Sequence, residues 1–259
     1  MSSEESTSAT RGVAYFDQWY ADMTSSSVRD AIVARALGLP PELQSSSLLT
    51  WQGIAEVTEA LDLPKDGQLV DVACGRGGYG IEVARRAGAR LCGVDFSRVA
   101  VEQARASSAR KLPTGRSEFR VGTLVATGLP DGVADGLMCI DAVQFADPPL
   151  AALTEFRRVL ASGGRLALTC WEAIDPSDER VAARIRAVHL AGDLTASGFV
   201  GVQVLDKPNW REAERRFWQE VLAAPADSDA AVGSMQDEGR RSLETFGALR
   251  RVFATAIAP

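Results

Sequence analysis

The sequence predicts an α/β fold, a mainly parallel sheet with helices on both faces. Three observations predict it. Between residues 69 and 171, short apolar runs of strand type alternate with segments of helical period, the order that parallel strand–helix–strand units require. A glycine cluster joins the first apolar run to the first of those helices, in the stretch 69–80, L-V-D-V-A-C-G-R-G-G-Y-G. The chain has 259 residues, 46% of them hydrophobic, which is enough for one large core.

Each element has its own signal. Leu69, Val70 and Val72 form the first strand, and a helical pattern begins at Tyr79. Residues 90–96, R-L-C-G-V-D-F, read as a second buried strand ending in an acid. Ser97 is placed to cap a helix over 99–111. A third strand at 117–122 leads to Thr123 and Leu124. A fourth, 136–143, contains Asp141 and ends near Gln144. Asp147-Pro148-Pro149 starts a helix through Leu160, with the Asp as N-cap and Pro in the first turn, and Ser162-Gly163-Gly164 stops it. Residues 165–171, R-L-A-L-T-C-W, are the fifth strand. A helix follows at 179–191, then a strand at 201–206, a helix at 210–223, a loop-like stretch at 224–235 and a last helix from 237. Residues 251–258, R-V-F-A-T-A-I-A, suit a final strand or an extension of that helix; the strand is preferred because it leaves 210–250 as a helical insertion.

The glycine cluster points to a nucleoside-containing cofactor. Glycines 75, 77 and 78 let the backbone pass close under a ligand, and the helix behind them presents unpaired N–H groups and its positive end. Two readings compete. Gly75-x-Gly77-x-x-Gly80 satisfies the dinucleotide fingerprint, with Asp95 at the spacing that fingerprint asks. The alternative starts at Asp71, as acidic-x-small-x-Gly-x-Gly through Ala73, Gly75 and Gly77. A pyrophosphate gains nothing from a nearby carboxylate, whereas the ammonium and sulfonium of S-adenosylmethionine (SAM) do. Asp71 therefore favours SAM, with Asp95 accepting from the ribose hydroxyls and Phe96 lying against adenine.

With D-V-A-C-G-R-G-G at 71–78, G-V-D-F-S at 93–97, C-I-D-A-V-Q-F-A at 139–146 and E-F-R-R-V-L-A-S-G-G-R-L at 155–166, the region 69–172 resembles the class I SAM-dependent methyltransferase family. The resemblance implies a Rossmann-like, mainly parallel seven-stranded sheet, closed by an antiparallel last strand, with an N-terminal helical lid and C-terminal helical additions. It implies a cofactor set of Asp71, Ala73, Cys74, Gly75, Gly77, Asp95, Phe96, Thr123, Leu124, Asp141 and Gln144. Many relatives carry an acid where this chain has Thr123, so the adenine contact there passes to the Thr hydroxyl or the Leu124 backbone. Ala73 replaces the family's first glycine.

The implied division is a disordered tail at 1–10, an N-terminal helical cap at 11–62 with helices at 13–23 and 48–61, and a SAM-binding domain at 63–259. By the same resemblance Tyr15, Trp19 and Tyr20 are lid candidates, although aromatic packing of the helix explains them equally well. His189 is the only histidine, and its place late in the helix at 179–191 favours a dipole interaction over catalysis. His189 and Tyr15 stay weak candidates for a base, with Asp141, Gln144 or a water as others, and none is assigned.

Net charge is −6, which gives no attraction to nucleic acid, and the pairs Arg240-Arg241 and Arg250-Arg251 read as solvated helix faces. Asp147-Pro148-Pro149-Leu150 lacks the aromatic that stacks on a flipped base in DNA-adenine enzymes. Four cysteines without C-x-x-C spacing point to reduced buried thiols and no metal site, in a cytoplasmic protein with no membrane span or signal peptide. The expected activity is methyl transfer to an O or N atom of a small, specialised metabolite. A SAM-dependent cyclisation or rearrangement on the same fold, an NAD-dependent oxidoreductase and a non-catalytic SAM sensor are the alternatives. Oligomeric state and acceptor stay open.

Overall fold

The computed structural model describes residues 12–22, 26–43, 45, 47–225 and 230–259. The expected tail at 1–10 lies outside them. Seven strands form one sheet in the order β3-β2-β1-β4-β5-β7-β6. They are β1 (Gln68–Val72), β2 (Arg90–Asp95), β3 (Ser117–Val121), β4 (Ala134–Ile140), β5 (Leu160–Ala173), β6 (Val200–Asp206) and β7 (Leu249–Ile257). All neighbours from β3 through β5 pair in parallel, and β7 runs antiparallel between β5 and β6.

Side-chain alternation along each strand separates two cores. Val70, Val72, Val94, Leu137, Cys139, Leu168, Val252 and Ala254 face one, while Leu69, Leu91, Met138, Ala167 and Phe253 face the other. Being buried on both faces is why these strands read as nearly continuous apolar runs. β7 shows how period decides an ambiguous segment. Arg251 and Phe253 point to one side and Val252, Ala254 and Ala256 to the other, a period of two that a helix would scatter around its surface.

Helices α4 (Gly78–Ala87) and α5 (Arg98–Ser108) connect the first strands, and α6 (Pro149–Val159) leads into β5. Ser97 caps α5 as expected, its Oγ accepting from Ala100 N at 3.1 Å. At the N-terminus there are three helices, α1 (Val13–Asp22), α2 (Ser27–Leu37) and α3 (Trp51–Leu61), against the two expected. The overlooked α2 carries its own signals, an N-cap at Ser26 and a left-handed Gly38 at its end.

Four further boundaries differ from the sequence reading. β4 ends at Ile140, so Asp141 stands just beyond it with φ 58°, and residues 143–145 form a 3-10 turn. Pro148, after a cis Asp147–Pro148 bond, occupies the N-cap of α6, so Asp147 does not cap it. The single helix expected at 179–191 is two short ones, α7 (Ala183–Arg186) and α8 (Leu190–Ala196). The break follows from Glu172 on β5, whose Oε1 accepts Leu190 N at 2.9 Å and fixes a new helix start there. Between β6 and β7 lie α9 (Pro208–Ala223) and α10 (Ala230–Glu244); the latter starts well before residue 237.

Gly93 on β2 has Phe119 of β3 directly over it: an added Cβ would lie 2.4 Å from a ring carbon. Gly93→Ala is expected to cost about 1–3 kcal/mol as the ring is forced aside. Denaturant unfolding measures this, and an unchanged midpoint would show that Phe119 moves without cost.

Candidate functional site

The site begins where β1 leaves the sheet. Ala73, Gly75 and Gly77 have φ of 59°, 52° and 77°, so the turn is built from left-handed residues. Ala73 is the unusual one, because an L-residue there carries about 1–2 kcal/mol of strain. Cys74 N donates to Val94 O at 3.0 Å and Gly77 N to Cys74 O at 2.9 Å, which tie the turn to β2 and close it. Gly77, the N-cap of α4, offers no side-chain acceptor, so the first N–H groups of that helix are available to a ligand.

Asp71 is 3% exposed, and its carboxylate lies under the first turn of α4, where it accepts from Gly80 N. Burial, then the neighbouring Asp95, raises its pKa well above the usual carboxylate range. A Cβ on Gly80 would sit 2.4 Å from Asp71 Oδ2. The third glycine of the apparent dinucleotide fingerprint is therefore accounted for by a carboxylate beneath it, with no role for a pyrophosphate.

Asp95 closes the end of β2. Its Oδ2 accepts Gly75 N at 2.8 Å and its Oδ1 accepts Ser97 N at 2.9 Å, so it braces the glycine turn against α5. Burial raises its pKa, against the lowering effect of these backbone donors. Beside it, half-buried Phe96 meets Phe16 of α1 edge to face, centroids 5.2 Å apart, and Phe16 also faces Phe145 at 6.5 Å. Ser97 Oγ donates to Asp17, and Gln103 Nε2 donates to Tyr20 O at 3.1 Å, which fastens α1 over this corner. Phe16, Asp17 and Phe145 were not singled out from sequence. Of the aromatic residues that were, Trp19 and Tyr20 pack on each other, and the Tyr15 side chain lies outside the described ones. Thr123 is exposed, its backbone paired with Ala126, and Leu124 is half-buried.

Asp141 and Gln144 stand at the end of β4. Thr169 Oγ1 donates to Asp141 Oδ1 at 2.5 Å, and Leu48 N donates to Oδ2 at 3.4 Å. Gln144 is buried; its Nε2 donates to Asp141 O at 2.8 Å and its Oε1 has no hydrogen-bond partner.

The largest surprise is Arg251. Read from sequence as part of a solvated basic pair, it is 0% exposed on β7, its Nη2 2.5 Å from Asp141 Oδ1 and its Nε 3.7 Å from Glu214 Oε2 of α9. Its partner in the pair, Arg250, is the exposed one, and binds Glu172. Strand alternation separates the two, and a helix assumption hid it. Glu214 is itself buried, its Oε1 accepting Trp218 Nε1 at 3.3 Å; burial pushes its pKa up to about 7 despite the Arg251 charge. His189 corrects a second expectation. It is exposed at the N-cap of α8, 

so it lies at no helix C-terminus and apart from the cluster around Asp141.

Comparison with known proteins bears directly on this geometry. A family described as a methyltransferase domain matches residues 70–168, the span from β1 through most of β5. The chain is a class I SAM-dependent methyltransferase. This methyltransferase is 26% identical over 226 residues to the O-methyltransferase resE of Aspergillus sclerotiorum, a match covering 84% of this chain and 85% of that enzyme. It is 24% identical to the chloroplastic tocopherol O-methyltransferase of Arabidopsis thaliana, covering 73% of this chain and 59% of that one. Among solved structures, the [4+2]-cyclase SpnF superposes with a TM-score of 0.71 at 21% identity, covering 90% of this chain and 93% of that chain. A geranyl diphosphate methyltransferase does so at 0.71 and 15% identity, covering 95% and 98%. At such identities these two establish the fold alone.

The residues present fit SAM. The open helix start beyond Gly77, the braced carboxylate of Asp95 and the orphaned Oε1 of Gln144 are a donor–acceptor set suited to an amino acid joined to a nucleoside. The Asp71–Gly80 contact yields a sharp test. Gly80→Ala alone is expected to destabilise the protein by about 1–3 kcal/mol and to weaken SAM binding. In an Asp71→Ala background the same change has no carboxylate to meet, and its cost shrinks. A double-mutant cycle by denaturant unfolding checks this, and strictly additive effects would refute the contact.

Proposed function

We propose that this methyltransferase transfers a methyl group to an oxygen of a small specialised metabolite. The observation that carries the acceptor class is the nearly end-to-end likeness to a fungal O-methyltransferase, extending well beyond the cofactor core that all relatives share. Two other fungal O-methyltransferases, cnsE of Penicillium expansum and rstn1 of Aspergillus nomiae, match over 64% and 44% of the chain and support the same reading.

SAM supplies the methyl carbon and a thioether leaving group. The chain's part is to bind, align and exclude water. Asp95 takes the ribose hydroxyls, with its carboxylate already oriented by Gly75 N and Ser97 N. Phe96, with Phe16 and Phe145 near it, covers the adenine face. Gln144 Oε1 accepts from the methionine ammonium, and Asp71 holds α4 in place from beneath the turn. Alignment of this kind contributes on the order of 7–11 kcal/mol, so a base adds to the rate without being obligatory. We assign the protein to a reducing, cytoplasmic setting; its four free cysteines support that. No helix among the described residues is long and apolar enough to cross a membrane.

Calorimetric titration with SAM, S-adenosylhomocysteine and NADH tests the cofactor reading: the first two are expected to bind and NADH not to. Incubation with candidate acceptors should give a product heavier by one methyl together with S-adenosylhomocysteine; a product of unchanged mass would indicate cyclisation or rearrangement. Asp95→Ala should weaken SAM binding by about ten- to a hundredfold, the worth of hydrogen bonds to a charged acceptor. Unchanged affinity would show that Asp95 does not hold the ribose.

A further inference from the structure

Arg251 is a buried guanidinium with unsatisfied donors. It is 0% exposed; its Nη2 is held by Asp141 Oδ1 at 2.5 Å, while its Nε, 3.7 Å from Glu214 Oε2, and its Nη1 have no hydrogen-bond acceptor. Glu214 Oε2 is likewise buried without a hydrogen bond. Buried polar atoms are nearly always paired, and the free donors of Arg251 face the free Oε2 of Glu214 closely enough for one oxygen to accept from the first and donate to the second. The surroundings define what carries that oxygen. Asp141 stands at the end of β4 beside Gln144, and Trp171 lies under the guanidinium, 5.4 Å from centroid to Cζ. Trp218 flanks Glu214. The polar pair therefore sits among indole rings, next to the residues assigned to the methionine end of the cofactor.

We propose that Arg251 and Glu214 form the acceptor-oxygen subsite: Arg251 donates to the hydroxyl oxygen of a planar phenolic or enolic acceptor, and Glu214 takes its proton. The acceptor O–H bond breaks, its electron pair stays on oxygen opposite the guanidinium, and the proton moves to Glu214 Oε2, making a neutral carboxyl. That oxygen is then the nucleophile. A single cation between two carboxyls leaves one of them, Glu214, able to hold a proton without stranding a charge. Its pKa near 7 suits the exchange at neutral pH. Thr169 and Leu48 N hold Asp141, which fixes the guanidinium from the other side. This inference rests on the O-methylation reading.

The test needs no turnover. Protein saturated with S-adenosylhomocysteine is titrated with 2-naphthol at pH 8, where the free naphthol is neutral and its naphtholate is distinguished by a longer-wavelength absorption. The wild type should bind it as naphtholate, its ionisation lowered by about one to three units beside the guanidinium. Arg251→Lys keeps the charge but loses the fork and should weaken the naphtholate band at least tenfold. Glu214→Gln, nearly isosteric, should release one more proton to the buffer per naphtholate bound than the wild type does, read by calorimetry in two buffers. Absence of the band in the wild type, an undiminished band in Arg251→Lys, or equal proton release in Glu214→Gln overturns the proposal. S-adenosylhomocysteine binding on the same samples separates the two levels. Cofactor binding without a band sinks the subsite alone; no cofactor binding sinks the methyltransferase reading beneath it.

Discussion

The contact between the Asp71 carboxylate and the backbone of Gly80 is the constraint from which the cofactor corner follows. Because the carboxylate occupies the space where a side chain at 80 would go, α4 sits directly on the end of β1. That seating takes up Gly80 N and leaves the N-cap at Gly77, after the left-handed turn through Ala73, Gly75 and Gly77, without a side-chain cap. It also places a buried carboxyl, with its pKa held high, close behind Asp95. Charge on buried carboxyls is costly even where backbone N–H groups donate to them, so two of them side by side make a site that gains from a cationic ligand.

Strand alternation governs the second half of the site. β7 carries Arg250 outward to Glu172 and Arg251 inward to Asp141, one residue apart and on opposite faces of the sheet. The helical insertion between β6 and β7 then brings Glu214 over the guanidinium. The result is a polar cluster that no local stretch encodes: Asp141 from β4, Thr169 from β5, Arg251 from β7 and Glu214 from α9. Burying such a cluster rarely adds stability compared with apolar packing, which makes a chemical role the better account of it.

The N-terminal helices complete the enclosure by a different means. Tyr79, buried on α4, donates its hydroxyl to Ser47 O at 2.7 Å and accepts Leu49 N at 3.0 Å, so the segment leading to α3 is held beside Asp141. Phe16 and Asp17 attach α1 to Phe96 and Ser97 at the residues flanking Asp95. Cofactor corner and covering helix therefore share the same short stretch, 95–97.

The sequence alone determined the sheet, the glycine turn and the acid at the end of β2, because each depends on short-range pattern: alternation, glycine spacing and a residue at a strand end. It also determined the cap at Ser97, a local hydrogen bond three residues long. The extra helix α2 was legible through its caps, yet its weak apolar period concealed it. Asp147 went astray locally, because the adjacent Pro148 takes the N-cap of α6. His189 and Arg251 went astray because their roles are set by partners distant in sequence: Glu172 capping α8 from β5, and Asp141 and Glu214 enclosing Arg251 from two other elements. Only the tertiary structure decided these, since burial and charge pairing depend on which elements the fold brings together.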